Sequence, residues 1–120
     1  MATRKLARSD WGPFLDRMSK ATQGKRAAVE VASLDLGDQI AAEWVPLIGL
    51  VYDHKNDFIE VALEGLDHMI RRPRELHVDQ EGLELAALEV VDAGGARQII
   101  KLKDPLMLPA PAASAARAST

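Results

Sequence analysis

Trp11, Phe14, Leu15 and Met18 recur at three- and four-residue spacing, and after Gly24 the hydrophobic period falls to two. The change predicts one amphipathic helix followed only by strands. Ser9 or Asp10 is the expected N-cap, Pro13 falls in the first turn, where its missing N–H costs nothing, and Gly24 suits the C-terminal cap. Strands are expected near residues 26–34, 39–45, 47–53, 58–64, 67–71, 74–79, 84–92 and 97–103, separated by short Gly/Asp/Asn turns. Residues 1–8 read as a flexible basic arm, 9–108 as a single α+β domain and 109–120 as a mobile Pro/Ala/Ser tail. Leu106, Met107 and Leu108 are expected to pack once against the sheet before the tail leaves. The fold class is therefore α+β: an N-terminal helix on a curled, mainly antiparallel sheet of about six to eight short strands, barrel-like if the curl closes.

Registers follow where two faces differ in polarity. An even loop with Lys55-Asn56 at its tip sets Tyr52, Leu50 and Ile48 opposite Ile59, Val61 and Leu63, which makes one apolar face. The other face then carries Leu47, Gly49, Val51 and Ala62 beside Glu60 and Glu64, half apolar and half acidic. In the last hairpin, a Gly94-Gly95-Ala96 loop sets Val90 opposite Ile100, Leu88 opposite Leu102 and Glu89 opposite Lys101. In the first, pairing Val29 with Trp44 and Val31 with Ala42 also sets Glu30 against Glu43. Pro46 cannot donate to a ladder and should mark a break or bulge, and Gly49 is a place for a bend.

Composition narrows the function classes. A chain of 120 residues with 48% hydrophobic content suffices for one core, and its five aromatic positions, Trp11, Phe14, Trp44, Tyr52 and Phe58, make that core mainly aliphatic. A net charge of -3 disfavours nucleic-acid binding through phosphate neutralisation. The absence of cysteine removes disulfides, thiolate metal sites and cysteine nucleophiles. No apolar run approaches the roughly 18 residues of a membrane span, and the basic N-terminus lacks an apolar segment after it, so a cytoplasmic protein without membrane association is expected.

Candidate chemistry concentrates in residues 67–75. Asp67, His68, Arg71, Arg72, Arg74 and Glu75 form the densest polar cluster. One reading makes His68 a general base oriented by a carboxylate, with an arginine holding an anionic substrate. The plainer reading pairs Arg72 or Arg74 with Glu75 or Asp67 as a clasp around Pro73. It is preferred because adjacent strand residues point to opposite faces, which separates Asp67 from His68. Glu60 and Glu64 share a strand face that Glu43 could join, although alternating acids usually form a solvated side. His68, Asp67 and Glu60 are thus the catalytic candidates, and Trp44, Glu43, Glu60, Arg72 and Arg74 the ligand-binding candidates. Trp44 and Tyr52 read first as core residues, Tyr52 with a polar tip near the turn. His54, His68 and His77 lack short metal-motif spacing, so no metal or other cofactor is expected.

The segments Leu36-Gly37-Asp38-Gln39, Glu43-Trp44, Pro46-Leu47, Gly49, Tyr52-Asp53, Glu60-Val61, Asp67-His68 and Pro73-Arg74-Glu75 resemble a family of short bacterial proteins, the domain of unknown function numbered five-three-three-five. The resemblance covers roughly residues 10–108 and implies a single small domain. It supplies no activity, substrate or catalytic residue. The helix-then-bent-sheet order is similar in shape to Sm-like or SH3-like barrels, without the RNA-contacting signatures of the former.

The function that fits is a non-catalytic interaction or small-ligand-binding module of a bacterial cell. A homo-oligomer or protein partner would meet it through the half-apolar sheet face. A small enzyme built on the Asp67/His68/arginine cluster with nearby carboxylates is the alternative. A weak nucleic-acid binder using Arg4, Lys5, Arg8 and the arginine segment is the second alternative.

Overall fold

The computed structural model describes residues 2–35, 37–82 and 84–104; the expected tail and the packing of Leu106, Met107 and Leu108 lie outside the described residues. The elements are β1 (Ala2–Leu6), α1 (Arg8–Ala21), β2 (Arg26–Ser33), β3 (Gly37–Asp53), β4 (Phe58–Leu63), β5 (Leu66–Arg71), β6 (Pro73–Glu81), β7 (Glu84–Asp92) and β8 (Arg97–Lys103). One helix and eight strands make an α+β fold dominated by its sheet. The strand order is β1-β6-β7-β8-β2-β3-β4-β5 with antiparallel neighbours throughout, and β1 and β5 are its two ends. The curl does not close into a barrel.

Residues 2–6, expected within a flexible arm, form β1 and pair with residues 76–80 of β6. Leu6 is buried and its carbonyl accepts the indole N–H of buried Trp11 at 3.1 Å, so the segment gains both apolar contact and a hydrogen bond. Arg4 and Lys5 stay exposed, which suits a strand at the end of a sheet.

Helix α1 starts two or three residues earlier than expected, with Ala7 as N-cap and no side-chain cap. Pro13 therefore lies in the second turn and costs the helix one backbone hydrogen bond. The predicted stripe holds: Trp11, Phe14, Leu15 and Met18 are all buried. At the C-terminus Thr22 donates to the Met18 carbonyl from both its N–H and its hydroxyl, at 2.9 and 2.6 Å.

The two central strands expected at 39–45 and 47–53 are one continuous strand, β3, whose first half pairs with β2 and whose second half pairs with β4. Its break falls at Trp44 (φ 55), just before Pro46. Between the pairs Ala27–Val45, Val29–Ala42 and Glu30–Ile40, β3 twice carries one residue more than β2. These bulges bend the strand, so residues from both halves of the sheet meet in one core with α1. They also undo the expected opposition of Glu30 and Glu43, because Glu30 faces Ile40 instead. Ile40 is thereby turned to solvent, 63% exposed.

The β3–β4 register is as expected from Tyr52 with Ile59 through Gly49 with Ala62. A bulge then sets Leu47 opposite Leu63, so Leu47 enters the core and Ile48, expected inside, is 57% exposed. In the β7–β8 hairpin the turn is centred one residue earlier than expected. Leu88 faces Ile100, Val90 faces Gln98 and Glu89 faces Ile99. The reason is Asp92: its Oδ1 accepts the N–H groups of Gly94 and Ala96, and its carbonyl accepts the N–H of Gly95, which adopts φ 86. That is a turn closed by a left-handed glycine, and it outweighs the side-chain pairing used to choose the register. The shift is even, so Leu88, Val90 and Ile100 still face inward.

The second half of β3 pairs on one side only, and α1 covers the other. Ser19 Oγ accepts the Leu50 N–H at 3.0 Å, and a Cβ on Gly49 would stand 3.1 Å from that oxygen. Glycine at 49 is what lets the helix approach this closely.

Candidate functional site

The cluster at residues 67–75 is dispersed by the pleat. Pairing of β4 with β5 sets Glu60 opposite Met69, Val61 opposite His68 and Ala62 opposite Asp67. Val61 is core, so His68 points inward while Asp67 and Glu60 lie on the outer face. The convergence that an enzyme built on His68 with Asp67 or Glu60 requires is not formed.

His68 instead reaches across the core to Gln98 of β8, with Nε2 2.5 Å from Oε1. The Gln98 amide nitrogen donates to Asp92 Oδ2 at 3.0 Å, and Gln98 is buried. Asp92 can only accept, so the carboxamide must present its oxygen to the histidine, and His68 must donate through Nε2. Sequence reading missed both Gln98 and Asp92. A glutamine alternating in phase with Ile100 and Leu102 was the available signal.

Arg72 and Arg74 form a clasp, but with other partners than the carboxylates expected. Arg72 has φ 49; its N–H donates to the Asp57 carbonyl and its own carbonyl accepts from Ala93. Arg74 Nη2 donates to the Ala93 carbonyl at 2.9 Å. The turn before β6 thereby ties the β3–β4 loop to the β7–β8 loop. Glu75 pairs with His77 at 2.9 Å and with Lys5 at 4.0 Å. The His77 hydrogen bond, followed by the Lys5 charge, holds the Glu75 carboxyl below its ordinary value.

Trp44, expected in the core, is only half-buried. Lys103 Nζ stands 4.2 Å from its ring centre and Arg26 donates to its carbonyl. Glu43 is exposed beside it on the bulged stretch of β3. Neither belongs with Glu60. The basic arm of the nucleic-acid reading is also engaged, Lys5 with Glu75 as above. Arg4 bonds Gln80, while Arg8 stacks 4.4 Å over Trp11 and donates to the Pro73 carbonyl at 2.8 Å and to Tyr52 and Asp57. Hollows of about 150 Å³ beside His77, Asp79 and Glu89, and about 340 Å³ between Arg8, Tyr52 and His54, are both open. Among the described residues, no three His, Asp or Glu side chains are grouped to hold a metal ion, and no helix is long and apolar enough to cross a membrane.

What remains is the outer face of β3, β4 and β5. The cross-strand rows are Val51–Glu60–Met69, Gly49–Ala62–Asp67 and Asp53–Phe58–Arg71. Val51 is 44% exposed, and Ala62, Phe58 and Met69 are half-buried. Glu60 and Asp67 are diagonal neighbours on this face. Burial first, and then the Asp67 charge, push the Glu60 carboxyl above its ordinary value. The face differs from the expected one at the bulge, where Leu47 has left it for the core and Ile48 is exposed alongside.

Fold and face together describe a small α+β protein with an open, bent antiparallel sheet and a half-apolar, half-charged outer surface at one end. The chain belongs to the family of unknown function DUF5335, whose model matches residues 2–111. A relative from Aquifex aeolicus (strain VF5), described as an uncharacterized protein, is 36% identical over 110 residues, covering 91% of this chain and 99% of the relative. No solved structure matches.

Proposed function

We propose that the chain is a non-catalytic protein-interaction module that uses the outer face of β3, β4 and β5. The observation that supports this reading is the exposure of Ile48 and Val51 beside half-buried Phe58, Ala62 and Met69. Large aliphatic side chains gathered on one sheet face leave apolar surface in water that a partner would cover. The test is a photo-crosslinking amino acid placed at Val51 in the cell the protein comes from, with Lys20 on α1 as the control position. A discrete adduct from position 51 and none from position 20 is the expected result. Equal labelling from both positions, or none from either, would defeat the proposal.

A further inference from the structure

Resting on that reading, we infer that the partner element seated on the outer face of β3, β4 and β5 presents a lysine or arginine side chain among aliphatic ones. The face holds two carboxylates side by side, Glu60 and Asp67, and surrounds them with Val51, Ala62, Phe58 and Met69. Two like charges on diagonal neighbours repel, and Glu60 is half-buried, where solvent relieves that repulsion less than on an open surface. Among the described residues no lysine, arginine or histidine nitrogen lies within 4.0 Å of either carboxylate. Arg71 occupies the other diagonal position beside Glu60 and is exposed, making no ion pair with it there. A partner cation placed between the carboxylates would remove their repulsion, while the aliphatic stem of that cation and its neighbours would cover the apolar rows. A second copy of the same face would instead bring four carboxylates together, which argues against self-association here.

The experiment titrates the isotope-labelled full chain with a capped hexapeptide of alternating valine and lysine, and with its valine–glutamate counterpart, following backbone amide shifts at low and high salt. The lysine peptide should shift Val51, Glu60, Ala62, Asp67 and Met69, more weakly at high salt. Its affinity should fall about tenfold in a Glu60→Gln/Asp67→Asn variant. A Glu30→Gln/Asp38→Asn control should change it less than about twofold, because those acids lie on the other half of the sheet. Arg71→Gln should leave binding equal or tighter. Shifts elsewhere, equal response to the glutamate peptide, or no response at all would each overturn the inference. A position-51 crosslink that persists beside a silent lysine peptide sinks the cationic partner while sparing the interaction reading. Absence of the crosslink removes the reading itself.

Discussion

His68 on β5 and Gln98 on β8 are joined across the core by a 2.5 Å contact between Nε2 and Oε1, although β2, β3 and β4 separate their strands in the sheet order. The bond ties the bent end of the sheet back onto its body. Gln98 also holds Asp92, which organises the β7–β8 turn, so one buried carboxamide serves two elements. Gln98→Ala leaves half-buried groups on both sides without a partner and should cost about 1–3 kcal/mol in urea unfolding. An unchanged midpoint would mean that the bridge contributes nothing to stability.

Ser19 and Gly49 should behave as a coupled pair. Ser19→Ala removes the acceptor of the Leu50 N–H, at about 1 kcal/mol. Gly49→Ala puts a methyl group 3.1 Å from Ser19 Oγ and strains the helix against the strand. With the hydroxyl gone the methyl fits better, so the double variant should be more stable than additivity predicts, by about 0.5 kcal/mol or more in a double-mutant cycle. Strict additivity would show that helix and strand do not meet as closely as described.

Two carboxylates give opposite pH dependences. Glu75 titrates below its ordinary 4.5 in the folded chain, so its contribution is present above 4.5 and lost as pH falls through the folded value. Glu60 titrates above 4.5, so the folded state is favoured while it is protonated and loses stability as pH rises from 4.5 through the folded value. Glu75→Gln should therefore destabilise at neutral pH and not in acid. Glu60→Gln should stabilise at neutral pH and lose that advantage in acid. Thermal melts across the range decide both, and equal effects at the two extremes would contradict them.

Arg8 ties α1 to the turn before β6, donating to the Pro73 carbonyl while stacking on Trp11. Arg8→Met keeps much of the apolar stem but loses the charge-assisted bond. A cost of about 1–2 kcal/mol is expected. Hydrogen exchange should quicken first in the turn at Arg72 and Ala93, and uniform quickening would argue against a local role.

Periodicity by itself determined the helix stripe at Trp11, Phe14, Leu15 and Met18, the succession of strands after Gly24, though it divided β3 in two, and the Tyr52–Ile59 register, because burial on one face imposes a repeat visible along the chain. It also exposed the half-apolar outer face around Val51 and Ala62. Tertiary structure decided the rest. A short Arg/Lys-rich segment became β1 because its Leu6 could be buried against Trp11 of α1, which no local repeat announces. The bulges at Trp44, Ala41 and Ile48 changed which side chains point inward, since one extra residue flips the pleat and alternation carries no record of it. The polar cluster at 67–75 looked like one site because its residues are adjacent in sequence. The pleat sent His68 to Gln98 and left Asp67 on the outer face with Glu60, so only the folded sheet separated a bridge through the core from acids on the outer face.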